Sequence, residues 1–249
     1  MYRLKVFPTG QIDCDETILF RDGEPDKTRR INCLCYLLEK DGRVVLIDTG
    51  IADIDAVNRT KKGKNFWKRE GTDGDLTAHL KKWGYTCDRV TDIILTHAHY
   101  DHIGGVPLLS NARVYLHRRE WEALFSKDNP MKNELERVRS FLEERKAKGF
   151  VTLTEDGDTV LGDISLYLAG GHSAGSQLIK AATQLGQTLF TGDAVFLREN
   201  IERGRPIGFS HSPEESARII GVCRAIPGVY MTGHDLLCME NIEGVNEHE

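Results

Sequence analysis

Short apolar runs separated by turn residues dominate the first third of the chain, and the stretch LCYLLEKDGRVVLIDTG sets the pattern. Residues 34–38 and 44–47 read as two strands joined by a turn at Asp41-Gly42. The second strand ends in Asp48-Thr49-Gly50, polar residues closing a buried run. The N-terminal MYRLKVFPTG alternates in the same strand-like way. Helical spacing appears in DGDLTAHLKKWGY, with Leu76, Leu80 and Trp83 on one face and Gly84 as the stop. His79 falls off that stripe and is expected at the surface. Residues 91–95 form the next buried strand, followed by THAHYDH as a loop and by Ile103, Gly104 and Gly105 as the start of a helix. A strand at 113–116 and a helix from Arg118 come after it. Pro130 is expected to open a long amphipathic helix through MKNELERVRSFLEERKAKG, burying Leu135, Val138 and Leu142.

The second half repeats this order. Strands are expected at 151–154, 159–161, 165–169, 176–181, 188–191 and 229–231. SPEESARIIG reads as a capped helix, with Ser212 as the cap, Pro213 in the first turn and Glu215 reaching back. Strands alternating with helices in both halves imply two β-sheets with helices packed outside. No Pro/Ser-rich linker divides the chain, so residues 1–249 are expected to form one domain.

Composition narrows the picture without changing it. At 40% apolar and 29% charged residues the chain has the make-up of a soluble globular protein. It has no apolar run long enough to span a bilayer and no signal-peptide pattern, so the cytoplasm is the default location. A net charge of -5 argues against a dedicated nucleic-acid binder. Cys33 and Cys35 lie two apart on an expected strand and read as buried structural thiols. The stretch NRTKKGKNFWKREG, residues 58–71, sets six Lys/Arg around Phe66 and Trp67. Its charges read as a solvated loop, while the two aromatics are candidates to line a pocket.

The polar residues at strand ends carry the chemistry. His97, His99, Asp101 and His102 crowd the loop leaving the strand at 91–95. His172, Asp193 and His234 each follow another apolar strand through glycine, which lets the backbone turn sharply. Imidazole nitrogen and carboxylate oxygen together suit Zn, Fe, Co, Ni or Mn, and the lack of nearby cysteines argues against a structural thiolate site. Seven such donors are enough for two metals about 3.5–4 Å apart that share one carboxylate and keep a water position open. A water held there would have its pKa lowered towards neutrality, giving a hydroxide nucleophile.

These residues resemble the metallo-β-lactamase-fold superfamily, with its H-x-H-x-D-H signature at His97, His99, Asp101 and His102, then His172, Asp193 and His234. The VVLIDTG strand is similar to the superfamily's early motif, in which the aspartate, here Asp48, stands behind the ligands. Within the superfamily the chain looks most like the N-acyl-homoserine lactonases, the quorum-quenching hydrolases, through the stretches LKKWGYTCDRVTDIILTHAHYDHIGG, GGHSAGSQ, TGDAVFLRENIE and TGHD. The resemblance implies an α+β, four-layer αβ/βα sandwich of two mixed sheets with external helices. It also implies two divalent ions, zinc first, with Fe, Co or Mn as alternatives. One ion would take His97, His99 and His172, the other Asp101, His102 and His234, and Asp193 would bridge them. Asp101 would hand a proton to the leaving alkoxide.

The chain departs from the lactonase pattern at one position. Those enzymes generally carry a tyrosine three residues after the bridging aspartate, whose hydroxyl helps hold the lactone carbonyl. Here the residue is Phe196, which has no donor. Tyr100 and His211 are candidates to replace it, although His211 also reads as a surface residue ahead of a helix cap. The expected function is opening of a small-molecule lactone by a monomer or homodimer. The other readings are a glyoxalase II-like thioesterase, a phosphodiesterase or β-lactam hydrolase, and an iron redox protein. Di-iron members have glutamate in the second slot of the signature, where this chain has His99.

Overall fold

The computed structural model describes residues 1–60, 65–69 and 74–239. Two β-sheets pack face to face. The first contains β1 (Arg3–Asp15), β2 (Thr28–Lys40), β3 (Arg43–Ile47), β4 (Asp92–Ile94), β5 (Arg113–His117) and β6 (Val151–Thr154), side by side in chain order. The pairs from β1 to β3 are antiparallel and those from β3 to β6 parallel. Parallel neighbours need crossovers, and the helices occupy them. The second sheet holds β7 (Thr159–Val160), β8 (Ile164–Leu168), β9 (Gln177–Thr183), β10 (Gly186–Gly192) and β11 (Val229–Thr232), with only β10 and β11 parallel.

The helices are α1 (Glu16–Leu19), α2 (Ile54–Thr60), α3 (Leu76–Lys82), α4 (Tyr100–Ile103), α5 (Arg118–Phe125), α6 (Glu136–Ala147), α7 (Arg198–Arg203) and α8 (Pro213–Ala225). Strand β2 is buried from Ile31 to Leu38, and all but Asn32 of these residues are apolar, because both of its faces are covered there. Cys35 and Leu37 pack with Leu80 of α3 and Leu142 of α6, while Leu34, Tyr36 and Leu38 pack with Ile164, Leu166 and Ile179 of the second sheet. Beyond that sheet, Leu178 and Leu189 meet Ile219, Ile220 and Cys223 of α8. The layers run helix, sheet, sheet, helix, the sandwich that the resemblance implies.

Several local expectations differ from the structure. His79 is buried, with its ring 4.9 Å from that of Phe7 and its Nε2 3.1 Å from the Pro8 carbonyl. The β1 register slips between Pro8 and Gly10, and the histidine serves the carbonyl at that irregularity. The helix expected from Pro130 begins only at Glu136. Before it, the Asn129 side chain accepts from Met131 N at 2.8 Å and donates to the Leu124 carbonyl at 3.0 Å, holding a turn instead. Ile103, Gly104 and Gly105 end a helix where they were expected to start one: α4 covers Tyr100–Ile103. Ser212 does cap α8, accepting from Glu215 N at 3.3 Å. The Glu215 carboxylate, however, accepts from Gly171 N at 3.0 Å and ties α8 to the loop that carries His172. The basic stretch 58–71 begins inside α2, and its Lys61, Lys62 and Lys64 lie outside the described residues.

Candidate metal centre

Asp48 organises the loop that leaves the first sheet. It stands at the end of β3 with a left-handed backbone, φ 58°, and is buried. Its carboxylate accepts from Thr96 N at 2.8 Å and Thr96 Oγ1 at 2.7 Å, and lies 2.8 Å from His102 Nδ1. Thr96 Oγ1 is in turn 3.1 Å from His97 Nδ1. Because that hydroxyl donates to Asp48, it receives the Nδ1 proton of His97. One carboxylate thus orients two imidazoles, each with Nε2 turned inward.

The second sheet contributes the remaining donors. His172 follows β8, and its Nδ1 lies 3.1 Å from the Phe209 carbonyl. His234 follows β11, with Nδ1 2.7 Å from the carbonyl of Asn32 on β2, so the two sheets are joined behind the ligand. Asp193 follows β10 through Gly192, which adopts φ 47°. A side chain at Gly192 would collide with Thr96, and one at Gly233 would collide with the Asp193 carboxylate itself. Close approach of these backbones is what brings the Asp193 carboxylate into line with the other donors.

Four of the seven residues, His97, His99, His172 and Asp193, form one group, and Asp101, His102, Asp193 and His234 form another; within each, the ligand atoms lie within 4.8 Å of one another. Asp193 belongs to both. Its Oδ2 is 3.3 Å from His172 Nε2 and 3.7 Å from His97 Nε2, while Oδ1 is 3.0 Å from His234 Nε2 and 3.1 Å from His102 Nε2. Asp101 Oδ2 completes the second group at 3.7 Å from His102 Nε2 and 4.0 Å from His234 Nε2. His99 turns Nδ1 inward, 2.8 Å from His172 Nε2.

This donor set fits a pair of cations. His97 Nε2, His102 Nε2 and Asp193 Oδ1 are fully buried and crowd together without a well-aligned hydrogen bond, a costly state for polar atoms unless a cation lies between them. Burial holds the pKa values of His97 and His99 below the ordinary imidazole value and pushes that of His172 down to about 3, so these rings stay neutral. At His102 and His234 burial acts in the same direction, but Asp193 and Asp101 outweigh it, with Asp48 adding at His102, and both values rise. Burial acts against the charge of Asp193 too, yet His102, His234 and His172 hold its carboxyl well below the usual range. The carboxylates around the second group thus favour the protonated form of its two imidazoles.

The donors face a cavity of about 230 Å³. Ile12, Ile18, Ile31, Met131, Phe209 and Phe196 give it apolar walls. Trp67 and Tyr100 line it as well, linked by a hydrogen bond from Trp67 Nε1 to Tyr100 Oη at 3.1 Å. Phe196 is buried, with its ring 5.4 Å from that of His172 and 5.3 Å from that of His234. Phe66, 42% exposed, is not part of the lining, and His211 is exposed on an adjoining cleft.

Sequence reasoning missed Glu120. This buried carboxylate on α5 accepts from Ala98 N at 2.9 Å, Ser173 Oγ at 2.7 Å and Gly175 N at 2.8 Å. Ala98 sits between two ligands and Ser173 follows a third, so Glu120 joins the loops that carry His97, His99 and His172. In the sequence it is one of several charges on a short helix, and nothing there sets it apart from Glu122.

Known proteins resemble this chain in sequence and in fold. The sequence model of the metallo-beta-lactamase superfamily matches residues 28–224. An N-acyl homoserine lactonase of Bacillus thuringiensis is 29% identical over 243 residues, 94% of this chain and 93% of the relative. Among solved structures, an N-acyl homoserine lactone hydrolase with the product N-hexanoyl-L-homoserine bound at its catalytic metal centre superposes with a TM-score of 0.79. It is 25% identical, and the match covers 96% of this chain and 95% of that one. A dizinc quorum-quenching lactonase shares the fold at a TM-score of 0.71 and 17% identity, covering 94% of this chain and 87% of its own.

Proposed function

The chain belongs to the metallo-β-lactamase superfamily, and from that premise we propose that it is a dinuclear metal-dependent hydrolase that opens an N-acyl-homoserine lactone or a related lactone. The observation that carries the reading is Asp193, one carboxylate shared between two groups of buried donors that face a single cavity. The similar lactonases give the substrate class. Because the donors come from both sheets, the chain is read as one catalytic domain.

When bound, two divalent ions, zinc in the first instance, supply Lewis acidity and a water of lowered pKa. His97, His99 and His172 would hold one ion, Asp101, His102 and His234 the other, with Asp193 between them. The protein's own part is orientation, exclusion of water and proton transfer. Asp48 and the carbonyls of Asn32 and Phe209 fix the imidazoles so that every ring in contact with them points inward without rearrangement. The apolar walls receive the acyl portion and keep bulk water from the ester. Asp101 lines the cavity and is placed to protonate the leaving alkoxide, so that the opened ring departs as a hydroxy acid.

The test is turnover by protein stripped with a chelator and reloaded with Zn or Co. The substrates are γ-lactones of varied acyl length beside a thioester, a phosphodiester and a β-lactam. Ring opening is expected to vanish on stripping and return on reloading. Fully metallated protein that leaves every lactone intact would overturn the proposal.

A further inference from the structure

Phe196 occupies the cavity wall between His172 and His234 without a group to hold a carbonyl. A lactone carbonyl gains negative charge as it is attacked, and a neutral donor aimed at it lowers the barrier. Outside the proposed ligands, the side-chain donors lining the cavity among the described residues are the Cys14 thiol, the Trp67 indole and the Tyr100 phenol. A thiol is a weak donor. The indole N–H is committed to the Tyr100 oxygen at 3.1 Å.

That commitment has a directional consequence. Because the phenol oxygen accepts from Trp67, its own proton is not used in that bond and remains to be donated. A phenol that accepts one hydrogen bond is polarised into a better donor of the next. The position of the pair is fixed at both ends. Trp67 is clamped to Asn58 of α2, its N donating to Asn58 Oδ1 at 2.9 Å and its carbonyl accepting from Asn58 Nδ2 at 2.8 Å. Its ring lies 6.5 Å from that of His234, on the side of the cavity that Phe196 also borders. Tyr100 stands between His99 and Asp101, so its backbone is tied to both donor groups.

We propose that the Tyr100 hydroxyl holds the ring carbonyl of the substrate in the place that Phe196 leaves without a donor, and that Trp67 positions it. The proposal rests on the lactone reading above. Tyr100 is the catalytic residue of the pair, and Trp67 acts through it.

The experiment compares wild type with Tyr100→Phe, Trp67→Phe, Phe196→Tyr and the double variant Tyr100→Phe/Phe196→Tyr, all in the metal-loaded form. Substrates are γ-lactones with and without an acyl-amide arm. Tyr100→Phe is expected to lower kcat/KM at least about tenfold on both kinds of lactone, chiefly in kcat, with metal content and Tm unchanged. Trp67→Phe lowers it less, and the double variant recovers part of the loss. Wild-type kcat in Tyr100→Phe overturns the proposal. So does a loss confined to substrates with the amide, which would place the hydroxyl on the acyl arm. Failure of metal-loaded wild type on all lactones removes the lactone reading itself, and that result precedes any variant.

Discussion

Glu120 shows how one residue, without touching the proposed cations, bears on where they bind. Three donors from two ligand loops converge on its carboxylate. In Glu120→Gln the amide NH₂ would face donors that need an acceptor, at a cost of about 1–3 kcal/mol. We expect a metal affinity roughly 10–100-fold weaker at His97, His99 and His172. Chelator competition would measure it, and wild-type affinity in a folded variant would refute the role. The two clusters of candidate donors were legible in the sequence because their residues follow the ends of apolar strands. Glu120 was not, since burial of a helical charge depends on which loops fold over it. His79 was hidden for the same reason: the carbonyl that draws it in belongs to β1, some seventy residues earlier.

At the level of elements, the site depends on backbones that meet without side chains between them. Gly233, after β11, lies against the Asp193 carboxylate and donates its N–H to the Gly192 carbonyl at 3.1 Å. Gly233→Ala is expected to displace Asp193 and weaken both cation groups together, whereas Glu120→Gln affects one. Two-equivalent metal titrations of the two variants would show the contrast, and a Gly233→Ala protein with wild-type binding would contradict it. Strands of the second half were legible to within one or two residues from their apolar runs. The ends of α4 and α6 were not. The Asn129 side-chain bonds delay α6, and α4 starts four residues into the THAHYDH loop, so pattern alone set both boundaries wrongly.

Across the whole molecule the two donor groups differ in how they hold protons. His97, His99 and His172 have lowered pKa values and are neutral at ordinary pH. His102 and His234 have raised values, so a cation binding there competes with protons up to a higher pH than at the first group. For a raised pKa the protonated form prevails below it, so affinity at the second group falls first as the pH drops. Loading metal-free protein near neutral pH is expected to release protons, and acidification is expected to empty the Asp101, His102 and His234 group before the other. A pH-stat and metal content after dialysis at stepped pH would follow both. Simultaneous loss without proton release would contradict the assignment. Two sheets with outer helices were legible in the order of strands and helices, but their four-layer stacking came only through the motif resemblance, because parallel pairing of β3 with β4 joins segments more than forty residues apart.

The bond between His234 and the Asn32 carbonyl joins residues 202 positions apart. Its consequence concerns the order of events when the chain is made. A growing chain halted before β11 already carries six of the seven donors, yet the second group lacks His234 and the Asp193 carboxylate lacks the packing of Gly233. Contacts of such long sequence separation form late in folding. The second donor group is therefore completed only once β11 has docked beside β10 and His234 has reached the Asn32 carbonyl.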